Sequence, residues 1–99
     1  MIRGDGQTAM SKPLVLIENW AVVRKGSYLD FQEILPGYVL TGKPFGHSKL
    51  PNARSIYTSP ILSVDSNEGR VETRNTIYQL GAVSVEYENW ERQRRSMVA

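Results

Sequence analysis

"SIYTSPILSVD", Ser55 to Asp65, is the stretch on which the fold turns. It is dense in β-branched and aromatic residues, so it reads as a long strand, yet Pro60 stands in its middle. Proline donates no ladder hydrogen bond, which confines such a strand to a sheet edge or to a bulge. The neighbours downstream continue the β pattern. "SNEG" supplies turn residues, and "RVETR" alternates strictly, with Val71 and Thr73 facing one way and Arg70, Glu72 and Arg74 the other. Asn75 and Thr76 separate that run from "TIYQLG", which spells a tight hairpin.

Upstream, "YVLTGK" is a short strand that leads into "GKPFGHSKLPNARS". "WAVVRKG" is another strand, closed by Gly26. The segment "SKPLVLIEN" reads two ways. Ser11 is placed to cap a helix with Pro13 in its first turn, while the Val and Ile content favours a strand, which is the reading taken. "SYLDFQEILPG" predicts at most a short helical turn, from Ser27 and Asp30 at capping spacing before a Pro-Gly stop. From Ser84 the character changes. "SVEYENWERQRRSM" holds strong helix formers, with glutamates early and arginines late, as the helix dipole favours. Ser84 is the cap of a helix over about 84–96, and Val83, Tyr87 and Trp90 form the stripe that rests on the sheet. If Trp90 is fully buried, its truncation costs about 3–5 kcal/mol. The expected fold class is therefore mostly β (α+β): a small, strongly bent antiparallel sheet or partly open barrel of about five strands, with the C-terminal helix packed on it.

The chain has 99 residues, a formal charge of +2, one histidine and no cysteine. That length suits one domain, read as 14–99, after a flexible leader over 1–13 in which Met10 is an alternative start. The leader has no apolar core of the signal-peptide kind, and "PLVLI" falls far short of a membrane span. Absence of cysteine excludes disulfides and thiolate chemistry and fits a cytoplasmic location. One histidine without cysteine cannot assemble the usual zinc sites, and Asp65 and Glu68 read as solvated turn residues rather than calcium ligands. No cofactor is expected.

Trp20, then "LTGKPFGHSKLPNARSIYTSPI", "GRVETRNTIYQLG" and "VEYENW" form a set that resembles a family of small, uncharacterised bacterial and mobile-element proteins. The family skeleton is a tryptophan-led strand, L-x-G-x-x-x-G-H-P-x-x-P-D-G, I-x-T-S-x-I, a V-x-T-x-S-G-x-x-Y-x-L-G hairpin and an acidic-Tyr-x-x-Trp helix. The likeness runs from Trp20 to Trp90. Ser48 replaces the proline after the histidine, Asn52-Ala53 replace Asp-Gly, and Asn75-Thr76 replace Ser-Gly. The resemblance implies a compact β-rich fold and names no activity.

His47 sits among glycines and prolines, where it either hydrogen-bonds a loop carbonyl and fixes the joint or serves catalysis, ligand binding or pH sensing. A serine triad would pair it with Ser48 or Ser59, but no G-x-S-x-G elbow exists, and "GKPFGHSK" lacks phosphate-loop spacing. A binding module is the leading expectation. It would act through protein–protein contacts at the Pro60 strand and the loop from Lys43 to Arg54, with self-association at that edge as another outcome. The alternative is a nucleic-acid-binding face of arginines and tyrosines. "RQRR" near the C-terminus is offset by Glu86, Glu88 and Glu91. The candidate binding residues are His47, Lys49, Arg54, Tyr57, Arg70, Arg74 and Tyr78.

Overall fold

Pro60 marks an edge strand as expected, but it ends that strand instead of standing in its middle. The computed structural model describes residues 12–46 and 54–98, the last two by backbone only. In chain order it contains β1 (Leu14–Arg24), β2 (Ser27–Phe31), β3 (Val39–Phe45), β4 (Ile56–Pro60), β5 (Ser63–Asp65), β6 (Arg70–Glu72), β7 (Ile77–Leu80) and α1 (Val85–Val98). The sheet order is β4-β3-β1-β7-β6-β5, with β2 paired to β1 beside this path. The two end strands are thus consecutive in the chain, separated only by Ile61 and Leu62. At that joint the Ile61 N–H donates to the Tyr38 carbonyl on one side, and the Leu62 N–H donates to the Glu72 carbonyl on the other. One kinked run of chain therefore serves both ends of the sheet and holds it bent. The architecture is the expected one, a mostly β, open and bent sheet with a C-terminal helix.

Two details differ from the sequence reading. Ser27–Phe31 is a strand, not a helical turn. Gly26, at φ 81°, reverses the chain, and Arg24 meets Asp30 across the hairpin at 2.6 Å. That reversal overrides the local capping signal of Ser27 and Asp30. The sheet is also mixed, because β1 and β7 run parallel, with Leu14 opposite Ile77 and Ile17 opposite Leu80. The count rises from five to seven because β2 is added and Pro60 divides the long strand in two.

Inside the bend lie Val15, Ile17, Trp20, Val22, Leu40, Ile61, Val71, Tyr78 and Tyr87, all buried. Strand alternation delivers them, as with Val15 and Ile17 inward and Leu14 and Leu16 outward on β1. The register of β1 against β3 shifts between Glu18 and Ala21, where Asn19 takes φ 53°. This bulge brings Trp20 inward and frees polar groups that the segment after β7 satisfies. Gly81 N–H donates to the Ile17 carbonyl at 2.9 Å, and Ser84 N–H donates to the Trp20 carbonyl at 2.8 Å. The Trp20 indole N–H donates to the Gly81 carbonyl at 2.9 Å, and the Glu18 carboxylate accepts the Ala82 N–H at 2.6 Å. Lys12 adds a further tie to β6, through Glu72 at 2.5 Å and the Thr73 carbonyl at 2.8 Å.

The helix then follows directly. The Ser84 hydroxyl accepts the Tyr87 N–H at 3.1 Å, which makes Ser84 the N-cap. Tyr87 is fully buried, with its ring centroid 5.6 Å from Trp20, 5.4 Å from Phe31 and 5.4 Å from Trp90. Its hydroxyl donates to the Gln32 carbonyl at 2.5 Å. Trp90 is only half-buried, so it contributes less than the full burial assumed from the sequence.

Candidate functional site: an exposed tyrosine pair on the edge strand

The register of β4 decides which of its side chains face outward. Tyr57 stands opposite Thr41 of β3, and Ile56 stands opposite the buried Gly42. Tyr57 and Ser59 therefore project from the sheet while Ile56 leans toward the core. Tyr57 is 51% exposed, and its ring stacks on Tyr28 of β2 at 4.0 Å and 21°. Tyr28 is 52% exposed, and Leu29 beside it is 97% exposed. The ladder between β3 and β4 is irregular between Val39 and Thr41, where the Leu40 N–H donates to the Thr58 hydroxyl at 3.2 Å. As the end strand, β4 has ladder pairing on one side only among the described residues.

Three cations lie on the elements that carry the tyrosines or next to them. Lys25 is in the β1–β2 turn, and Arg54 lies just ahead of β4. Lys43 is two residues along β3 from Thr41, hence on the Tyr57 face. Among the described residues none of the three has an ion pair.

The residues expected to bind are divided by the structure. Arg54 and Tyr57 are exposed together at β4, and Arg74 joins them, its backbone N–H donating to the Ser59 hydroxyl at 3.4 Å. Arg70 is elsewhere, with its Nε donating to Gln79 Oε1 at 3.0 Å on the far side of the sheet. Tyr78 is opposite Val71 and 3% exposed, so it belongs to the core. Burial also raises its phenol pKa. The expectation of one face carrying Arg70, Arg74, Tyr57 and Tyr78 is corrected accordingly, because paired residues share a face and Tyr78 pairs with an inward residue. His47 and Lys49 lie outside the described residues, as do residues 1–11 of the leader expected over 1–13.

Asp65 Oδ1 accepts the Asn67 and Glu68 N–H groups at 3.1 and 3.2 Å, the behaviour of a turn-stabilising aspartate. Among the described residues no group of three or more His, Asp or Glu is placed to hold a metal ion. No helix among them is long and apolar enough to cross a membrane. Tyr28, the partner of Tyr57, has no signal in the sequence, where its segment predicts a helical turn and the structure has a strand. No protein-family model, curated protein or solved structure matches the chain.

Proposed function

We propose that this protein is a cytoplasmic binding module that works through contact with another protein, using β4 and the Tyr28–Tyr57 pair as its contact surface. The observation that carries the reading is the stacked, half-exposed tyrosine pair at an end strand, with Leu29 almost wholly in water beside it. Single exposed apolar residues are common, but an aromatic pair bridging β2 and β4, with an exposed leucine next in the chain to one of its rings, concentrates burial that a partner would recover. An extended segment can add to the free side of β4 by main-chain hydrogen bonds, with the tyrosines gripping its side chains. The motif resemblance to small bacterial and mobile-element proteins names no activity and links the chain to an accessory role by association alone.

A second reading has its own support. Lys25, Lys43 and Arg54 lie on or beside the strands that carry the tyrosines and make no ion pair among the described residues, as on a surface where single-stranded nucleic acid stacks. A pull-down from native lysate, with and without nuclease, separates the two. The expected result is a retained protein that resists nuclease and falls at least roughly tenfold with Tyr57→Ala/Leu29→Glu, since centrally buried aromatic anchors contribute 2 kcal/mol or more. Equal retention by that variant would defeat the reading. Retention that vanishes with nuclease and weakens steeply with salt would replace it with the nucleic-acid one. Light scattering adds the last discrimination: a dimer that the same variant converts to monomer makes the partner a second copy of this chain.

A further inference from the structure

A groove of about 510 Å³ lies between α1 and the β5–β6 hairpin, away from the tyrosine pair. Its floor is apolar, formed by Trp20, Ile34, Val64 and Leu80. Its rim is charged, with Glu33, Glu91 and Arg94 on the helix side and Asp65 and Arg70 on the hairpin side. Three carboxylates thus face two guanidiniums, in a chain whose formal charge is +2. The groove is an acidic place on a basic protein.

Most of these charges are already engaged. Arg94 pairs with Glu33 at 2.8 Å and lies over the Trp90 ring, 4.7 Å from its centroid. Arg70 is held by Gln79 at 3.0 Å, and Asp65 accepts two turn N–H groups. Glu91 differs. It is partly buried, and among the described residues its carboxylate makes neither a hydrogen bond nor an ion pair. With Arg94 held by Glu33 and Arg70 held by Gln79, Glu91 is the groove carboxylate left open to an arriving cation.

We propose that this groove receives an arginine or lysine side chain together with an adjacent apolar residue, both from an extended segment of a partner protein, and that Glu91 is the counter-charge. The apolar floor takes the neighbouring side chain and the methylene stem of the cation, and the acidic rim rejects anionic segments. The volume falls within the roughly 300–1,000 Å³ of small-ligand clefts. This site is independent of the tyrosine surface, so either can fail alone.

The test is an NMR titration of the ¹⁵N-labelled full chain with the tripeptide acetyl-Leu-Arg-Leu-amide, beside its Leu-Gln-Leu counterpart. Saturable shifts are expected at the Trp20 indole N–H, Gly69 and Gly81, with a Kd in the millimolar range, while the Tyr57 amide stays still. Glu91→Gln should weaken binding about threefold to tenfold, and Glu88→Gln, on an exposed part of the helix, should leave it unchanged. The proposal is overturned by an absence of saturable groove shifts, by equal binding of the neutral peptide, or by an unaltered Kd in Glu91→Gln.

Discussion

Tyr87→Ala is expected to lose about 3–5 kcal/mol of folding stability in a denaturant titration, the range for truncating a buried aromatic residue. Tyr87 is fully buried and touches Trp20, Phe31 and Trp90, so its removal opens a cavity where α1, β1 and β2 meet. Tyr87→Phe separates the ring from its hydroxyl. It keeps the aromatic contacts and loses only the bond to the Gln32 carbonyl, for about 1 kcal/mol. The same pair of proteins reads the pH dependence. Burial chiefly, with Glu91 and Glu33 adding and Arg94 opposing, raises the Tyr87 phenol above its usual 10.0. A group raised on folding contributes its full stability below the unfolded-state value and loses it as the pH climbs above that value. Wild type should therefore lose stability above about pH 10 faster than Tyr87→Phe does. Equal alkaline limbs, or a Tyr87→Ala midpoint equal to wild type, would show that the helix is not docked through this residue.

Gly42→Val is the second large effect, expected toward the upper end of roughly 1–3 kcal/mol, as overpacking costs. A Cβ at Gly42 would sit 2.8 Å from Ile17 Cγ1, 2.9 Å from the Glu18 carbonyl oxygen and 3.0 Å from Trp20 Cα. Two of those atoms are backbone at the β1 bulge and cannot swing aside. Valine is otherwise favoured in strands, so propensity predicts the opposite sign. Thermal unfolding of the variant decides. A melting temperature at or above that of wild type would mean that β3 does not pass so closely over the bulge.

Features set by neighbours in the chain were legible from the residues. The alternation of "RVETR" fixed Val71 and Thr73 inward, Pro60 marked an edge, and Ser84 marked the start of the helix. The inward turn of Tyr78 was legible too, because a hairpin looping through residues 73–76 sets 78 opposite 71. That register separates Tyr78 from the exposed Tyr57. What could not be read depends on long-range closure. Tyr28 meets Tyr57 only because β2 folds back at Gly26, and nothing in either segment signals the other. The groove likewise collects Trp20, Glu33, Val64, Leu80 and Glu91 from across the chain. The parallel pairing of β1 and β7 has no local signature, since strands of either sense show the same period.

That pairing and its continuation into the helix cap hold the whole arrangement together. Amide hydrogen exchange of Trp20, Gly81 and Ser84, with the Trp20 indole N–H, measures it directly. The prediction is slow exchange of all four together, at a free energy close to that of global unfolding. If they exchange as fast as the exposed Asn75 amide, the seam does not exist and the account of the fold fails with it.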